Sequence, residues 1–487
     1  MIEKAVRVRI APSPTGYFHV GSARTALFNW LFARHHAGRF IVRVEDTDRT
    51  RYNPEAVPDL TASLRWLGLE WDEGPEVGGD CGPYFQSERL HLYERYTSQL
   101  LREGHAYRCY CSPERLAAMR EEQRKNKQDV GYDRHCRHLT ADQRAAYEAQ
   151  GITPVVRFKA PVEGQTSFHD ELYGTIVVEN GTLDDFVLLK SDGYPTYHMA
   201  NVVDDHLMKI SHIMRGDEWL PSVPKHVLLY DALGWQLPVY AHLPLILAPT
   251  GKGKLSKRHG GVEVRDFRRQ GYLPEAMVNY LARLGWSYDD KTEIFSRDEL
   301  VRYFGLDGIN NSPARFSYDR LEWMNAHYIR HMETTDLAGR LVPFLAAAGY
   351  AVTPGDLLPM VPLVQERLKT LAEAVDWLDF FFEDHIDYET SLLIGKKMTA
   401  AESYQALLQA RQVLATLPTF EAGPIETALR DLANGLELKV GQLLGMIRIA
   451  VSGKKVAPPL FETLAILGQK RTLARLDQGL GALAPMQ

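Results

Sequence analysis

Residues 6–44 constrain this chain more than any other stretch, because they pack a strand, a loop, a helix and a second strand into one short run. Val6-Arg7-Val8-Arg9-Ile10 alternates apolar and basic side chains and reads as a strand. Ala11 to Gly21 is crowded with Pro, Ser, Thr and Gly and reads as a loop. Ser22 to His36 sets Ala23, Ala26, Leu27, Trp30 and Leu31 at helical spacing, with Gly38 placed as a C-cap. Phe40-Ile41-Val42-Arg43-Val44 is the second strand. Two strands joined through one helix make a parallel crossover unit of an open α/β sheet. Ligands of such sheets sit beyond the carboxyl ends of the strands. Here that end holds the Ala11–Ser22 loop, with Ser22 able to cap the helix, and Glu45 and Asp46 after the second strand.

From about Tyr107 to Asp192 the pattern changes to a charged helical stretch with paired cysteines, then to β-rich pieces such as Val155-Val156-Arg157-Phe158 and Thr175-Ile176-Val177-Val178. Parallel-sheet signals return at 209–213 and 244–247, so a nucleotide-binding sheet is interrupted by an inserted module. Past about 330 the chain favours helices, as at 363–382 and 402–417, punctuated by Pro418, Pro424, Pro458 and Pro459. Trp377 and Phe380–Phe382 read as core rather than base-stacking groups. At 487 residues with 45% hydrophobic side chains, the chain is long enough for several buried cores, which excludes fibrous and disordered classes. No run of about 18 apolar residues offers a membrane span. Met1-Ile2-Glu3-Lys4 lacks the layout of a signal peptide. Four cysteines are too few for a disulfide scaffold, so a reduced, cytoplasmic setting is expected. The net charge of −6 hides an asymmetry: 439–476 carries seven bases against one acid, a footprint for nucleic acid or, equally, a solvated helical face.

Two motifs carry phosphate chemistry. Pro12-Ser13-Pro14-Thr15-Gly16-Tyr17-Phe18-His19-Val20-Gly21-Ser22 runs directly into a helix, whose N-terminal N–H groups and positive dipole end suit a phosphate. Gly251-Lys252-Gly253-Lys254-Leu255-Ser256-Lys257-Arg258-His259-Gly260-Gly261 places four bases in seven residues between glycines, a loop able to fold cations over a polyphosphate. Neither is a dinucleotide fingerprint or a Walker loop. A third constellation is Cys109-x-Cys111 with Cys136-x-His138. Thiolate and imidazole ligands from two such pairs can close a tetrahedral Zn²⁺ site, the alternative being two reduced pairs without metal.

With these residues in view, the chain resembles the class I aminoacyl-tRNA synthetases and, among them, the bacterial glutamyl-tRNA synthetases. His19-Val20-Gly21-Ser22 matches the HIGH signature and Lys254-Leu255-Ser256-Lys257-Arg258 the KMSKS signature. Arg9–Gly16, Arg43–Asp48, Tyr194–Asp205 and Met214–Trp219 resemble further blocks of the family, and the similarity runs to the C-terminus. Val20 and Ser22 depart from the archetypal first signature, and Leu255 and Arg258 from the second.

The resemblance implies a Rossmann-type parallel-sheet catalytic domain with an inserted α+β acceptor-binding domain, followed by all-α C-terminal domains. Its expected boundaries are 1–106 and 193–250 for the two catalytic halves, 107–192 for the insert, 251–330 for the KLSKR loop and stem-contact domain, and 331–390 and 391–487 for two helical anticodon-binding domains. The implied reaction is ATP-dependent activation of L-glutamate to glutamyl-adenylate and transfer to the terminal adenosine of tRNA-Glu, with Mg²⁺ on the triphosphate and a monomeric, membrane-free enzyme. His19, Lys254 and Lys257 are the implied catalytic residues. Pro12, Ser13, Thr15, Gly16, Gly21, Ser22, Leu255, Ser256 and Arg258 complete the implied ATP site. Arg9, Ala11, Ser13, Glu45, Tyr197, Asn201 and Arg215 are the implied glutamate contacts: by similarity Arg9 faces the side-chain carboxylate, Glu45 the ammonium and Arg215 a second carboxylate, while the sequence leaves open which arginine takes which carboxylate. The Cys109, Cys111, Cys136 and His138 set falls in the insert, where the resemblance implies structural zinc. A tRNA-modifying relative would lack the helical region past 330, and an inactive RNA-binding paralogue would have no use for His19, Lys254 and Lys257.

Overall fold

A computed structural model describes residues 5–251, 253–256 and 261–486. The opening unit forms as its pattern dictates. Strand β1 (Arg7–Ile10) and strand β2 (Arg39–Val42) pair in parallel, Val8 against Phe40 and Ile10 against Val42, with helix α1 (Val20–His35) as the crossover. The periodic positions of α1 suggest one apolar stripe. Instead every residue from Ala26 to Ala33 is buried, because the sheet covers one side and ring contacts such as Phe28 on Phe304 (5.2 Å) cover another. A helix buried all round has no solvent face for polar residues.

The end of α1 differs from expectation. The left-handed residue is Ala37 (φ 49°), not Gly38, and the backbone N–H groups of Gly38 and Ala37 reach back to Ala33 (2.7 Å) and Arg34 (3.3 Å). This is the Schellman pattern with an alanine in the strained place. Gly38 is required for a different reason: a Cβ there would stand 2.3 Å from the carbonyl oxygen of Val6. The glycine lets the helix exit run against the edge of β1.

Further along lie β3 (Ala106–Cys109), β4 (Val155–Phe158), β5 (Gln165–Asp170), β6 (Gly174–Glu179), β7 (Val187–Leu189), β8 (His212–Gly216) and β9 (Val239–Leu243). Ser211, just ahead of β8, donates its backbone N–H to Arg7 (2.9 Å) and brings β8 beside β1. β9 runs parallel to β8 and β5 parallel to β9, with β6 as an antiparallel edge. The four-stranded sheet β6-β5-β9-β8 that stands beside β1 therefore contains β5 and β6, which come from within 107–192. The remaining strands of that stretch, β3, β4 and β7, form a separate antiparallel sheet. Beside it, helices Pro113–Lys125 and Ala141–Ala149 bury no side chain.

The chain divides into two compact units. One ends at Phe267 and resumes over Met277–Tyr318; it holds all of these strands. The other combines Arg268–Ala276 with the chain from Asp319 onward and is helical, built on Thr334–Ala347, Ala400–Ala415, Ala422–Gly435, Val440–Ser452 and Leu460–Leu483. Leu341, Leu407, Ile447, Leu464 and Leu476 are among its buried core. The helix expected at 363–382 is instead a series of short turns, because Thr370 is extended (φ −135°, ψ 158°) in its middle. Part of the basic cluster turns inward. Arg475 is buried and donates to the carbonyls of Phe380 (2.6 Å) and Glu383 (2.7 Å), Arg471 donates to Phe381 (2.6 Å), and Lys454 pairs with Asp379 (2.6 Å). These three bases fasten the 376–384 segment, with Phe380 and Phe381 in the core, and leave Lys439, Lys455 and Lys470 exposed. Among the described residues no helix is long and apolar enough to cross a membrane.

Gly38→Ala is expected to lower the thermal unfolding midpoint of the chain, at a cost of about 1–3 kcal/mol for overpacking against fixed backbone. Ala37→Gly, which relieves the left-handed residue, should hold or raise it. A midpoint unmoved by Gly38→Ala would contradict the packing described for this corner.

Candidate active site

The loop leaving β1 ends in His19, the residue that caps α1. Its Nδ1 accepts the backbone N–H of Gly21 (3.0 Å), so the imidazole does what serine or aspartate usually does at this position. Ser22, expected to cap, lies within the first turn instead. An accepting Nδ1 puts the ring proton on Nε2. His19 thus reads as a neutral donor at a helix end that already attracts anions.

A cavity of about 850 Å³ opens at the carboxyl ends of β1, β2 and β8. It is lined by Arg9, Ala11, Pro12, Ser13, His19, Gly21, Ser22, Glu45, Tyr197, Asn201, Arg215, Lys254 and Leu255, all singled out from the sequence. Thr15 and Gly16 line a smaller neighbouring cavity of about 200 Å³ and Ser256 lines neither, while Lys257 and Arg258 lie outside the described residues. At the rim Lys254 is 57% exposed and its Nζ donates to Glu218 (2.9 Å). An exposed pair of this kind holds by only about 0–1 kcal/mol, so a polyphosphate can take the lysine from it.

The floor of the cavity is a buried charge network on helix Tyr197–Leu207. Asp205 receives Arg9 through both Nε and Nη2 (3.1 Å each) and Arg43 through Nη1 (2.7 Å). Asp204 receives Arg89 (2.7 Å), Tyr93 (2.8 Å) and Gln86 (2.9 Å). Arg43 also donates to Glu45 (3.0 Å). Burial penalises every one of these charges, but Arg9 and Arg43 outweigh it at Asp205 and hold that carboxyl below its usual range. At Glu45 burial wins over Arg43 and pushes the carboxyl up. With its amide turned to satisfy its neighbours, Asn201 donates to Asp205 (3.2 Å) and accepts from Arg43 (3.1 Å). Asn201 therefore braces the network.

The two candidate arginines consequently differ. Arg9 is engaged in a fork with Asp205. Arg215, only 6% exposed, donates Nε to His242 Nε2 (3.1 Å) and Nη1 to Tyr197 Oη (2.7 Å), while its Nη2 has no partner. Among the described residues no carboxylate pairs with Arg215. It is a buried cation lining a cavity without a direct carboxylate partner. Burying a charge in that way is costly unless a counter-ion arrives.

In the stretch expected as an insert, Cys109, Cys111 and Cys136 bring their sulfurs within 4.8 Å of one another, a group that can hold a metal ion. His138 does not join them. It sits on the short turn His135–His138, where a two-residue step in a three-residue turn faces Cys136 inward and leaves His138 exposed. The Tyr132 hydroxyl lies against the sulfurs, 3.3 Å from Cys109 and 3.6 Å from Cys111. Two cations back this group: Arg157 lies 3.8 Å over the Tyr132 ring and Arg115 donates to Cys111 (3.5 Å). Hydrogen bonds with Cys111 and Cys136 hold the Cys109 thiol well below its usual range, whereas the same cluster pushes the Cys111 thiol up.

The family model for the catalytic domain of class I tRNA synthetases (E and Q) matches residues 5–323, and an anticodon binding domain model matches 336–480. The chain is 52% identical to the glutamate–tRNA ligase of Dehalococcoides mccartyi strain BAV1 over 486 residues, 99% of this chain and 98% of that one. It belongs to the glutamate–tRNA ligase family. The corresponding ligase of Roseiflexus castenholzii is 49% identical, over 99% of this chain and 98% of its own. A crystal structure of a glutamate tRNA ligase from Elizabethkingia meningosepticum, in complex with its amino acid, superposes with a TM-score of 0.88 at 35% identity, covering 99% of this chain and all of that one.

Sequence reasoning missed the supports of this synthetase site: Arg89, the carboxylates of Asp204 and Asp205, and His242 behind Arg215, itself bonded to Asp170 (2.7 Å). One signal was available, since two adjacent acids after Val202-Val203 on an apolar helical run must be buried and must find cations. Metal retained by the purified chain is expected to survive His138→Ala and to fall in Cys136→Ser, measured as metal released per chain on thiol modification. Loss in His138→Ala with retention in Cys136→Ser would reverse the assignment.

Proposed function

We propose that the chain charges tRNA-Glu: glutamate and ATP give glutamyl-adenylate and pyrophosphate, and the glutamyl group then passes to the terminal adenosine of the tRNA with release of AMP. The observation that carries this reading is Arg215, a buried cation without a carboxylate partner, in the same cavity as Glu45, whose carboxyl suits an ammonium. A zwitterion with a side-chain carboxylate satisfies both. Arg9, its charge matched by Asp205, shapes that wall. Ala11 and Ser13, where the chain leaves β1, and Tyr197 complete the amino-acid end.

The phosphates lie toward the N-terminus of α1. His19, donating from Nε2, and the N–H group of Ser22 hold them, beside Pro12, Thr15, Gly16 and Gly21. Attack of the amino-acid carboxylate on the α-phosphorus needs alignment and charge stabilisation more than proton transfer. Lys254 supplies charge on leaving Glu218, and Lys257, with Arg258 and Ser256 beside it, stabilises the departing pyrophosphate. Mg²⁺ enters as the counter-ion of ATP. The segment 107–192 guides the acceptor end, residues 251–330 contact the stem, and 331–390 with 391–487 read the anticodon. Zinc on Cys109, Cys111 and Cys136, with the Tyr132 hydroxyl against them, would stiffen the acceptor-binding part without entering the chemistry. The enzyme acts as a cytoplasmic monomer.

ATP–pyrophosphate exchange with purified tRNA-Glu tests this. Exchange dependent on glutamate and not on glutamine is expected, and Lys254→Ala should slow it by about 10²-fold while leaving tRNA binding intact, as removal of one charge-stabilising donor does elsewhere. Absence of exchange under any condition would favour an RNA-binding paralogue.

A further inference from the structure

Arg215 is held from behind by two fully buried side chains that stand outside the cavity lining. His242 on β9 is the cross-strand partner of Arg215 on β8, so both side chains leave the sheet on one face. An arginine can only donate, so the 3.1 Å contact from Arg215 Nε makes His242 Nε2 an acceptor and places the ring proton on Nδ1. That proton points at Asp170 Oδ2, 2.7 Å away at the end of β5. Asp170 is itself fixed by backbone N–H groups from His242 (3.1 Å), Leu172 (3.0 Å) and Tyr173 (3.1 Å). Neither His242 nor Asp170 is reached by solvent. Burial, against the pull of Asp170, keeps the His242 imidazole below its usual range and therefore neutral.

We propose that His242, locked by Asp170, is a positioning residue that aims Arg215 into the cavity and so sets the preference for a side-chain carboxylate over its amide. The inference rests on glutamate being the substrate. Held at Nε by His242 and at Nη1 by Tyr197, the guanidinium plane cannot turn, and Arg215 is fixed in the cavity lining with its buried Nη2 unpartnered. The neutrality of the anchor matters as much as its place. A carboxylate at position 242 would orient Arg215 equally well but would neutralise the charge that the substrate must meet. An imidazole orients the arginine and leaves its charge for the ligand.

Two substitutions separate this role from a packing role. In His242→Asn the amide nitrogen reaches Asp170 but nothing stands where Nε2 was; in His242→Gln the amide reaches the place of Nε2 and can accept from Arg215. In tRNA-dependent ATP–pyrophosphate exchange, H242N is expected to raise the glutamate KM by roughly 10–100-fold, as loss of an orienting partner does at other ligand sites. The KM for ATP should stay unchanged, and the glutamate-over-glutamine ratio should fall. H242Q should recover most of both. Should H242N fail to fold by circular dichroism, Asp170→Asn, which frees the ring while keeping it, carries the same expectation. Equal effects of H242N and H242Q, a parallel rise in the ATP KM, or an unchanged glutamate KM would each overturn the inference. A wild-type chain without glutamate-dependent exchange would overturn the reading beneath it as well, whereas an active wild type with an unaltered H242N overturns the positioning role alone.

Discussion

Asp204 and Asp205 sit side by side at the end of an apolar helix, beyond the reach of water, and most of the catalytic sheet is arranged to neutralise them. Breaking a buried ion pair by removing one partner costs about 3–5 kcal/mol, because the other charge is left stranded. Arg9 comes from β1, Arg43 from the end of β2 and Arg89 from the chain beyond, so the two acids draw three separate segments onto one helix. The same pairing fixes the cavity wall, since Arg9, Glu45 and Asn201 all touch Asp205 or its partners and all line the pocket. Structure and recognition here share one network.

That network also divides labour among the arginines. Cations already matched by protein carboxylates shape the floor, whereas Arg215 is anchored by the neutral groups of His242 and Tyr197, and in the proposed reading its charge meets the ligand. The phosphate end follows a different logic. There the helix N-terminus, His19 and a weakly held surface lysine offer charge that costs little to redirect. A rigid receptor for the amino acid beside adaptable cations for the polyphosphate suits a reaction in which one group must be aligned while the other develops charge and departs.

The sequence was legible where a local pattern and a local structure coincide. Val6–Val44 announces its crossover because period and turn residues speak for the same fold, and the loop and helix end it exposes are where the cavity lies. The capping of α1 by His19 rather than Ser22 was not legible, since histidine is an uncommon cap and only the loop geometry brings its ring over Gly21. Nor was the difference between Arg9 and Arg215, because it depends on Asp205 and His242, which are distant in sequence. The Cys-x-Cys and Cys-x-His spacing led to His138, while a tight turn exposes that ring and brings Tyr132 from four residues before Cys136. The basic C-terminal run looked like one surface until Arg475 and Arg471 proved to hold backbone carbonyls.

The division of roles comes down to whether Arg215, rather than Arg9, discriminates glutamate from glutamine. Calorimetric titration of both amino acids into the wild-type chain, Arg9→Gln and Arg215→Gln, each with tRNA-Glu and a non-hydrolysable ATP analogue, measures this. Arg215→Gln is expected to keep the unfolding midpoint and lose the preference for glutamate, whereas Arg9→Gln should lower the midpoint by stranding part of the Asp205 charge. A folded Arg9→Gln that loses the preference, beside an Arg215→Gln that keeps it, would contradict that division.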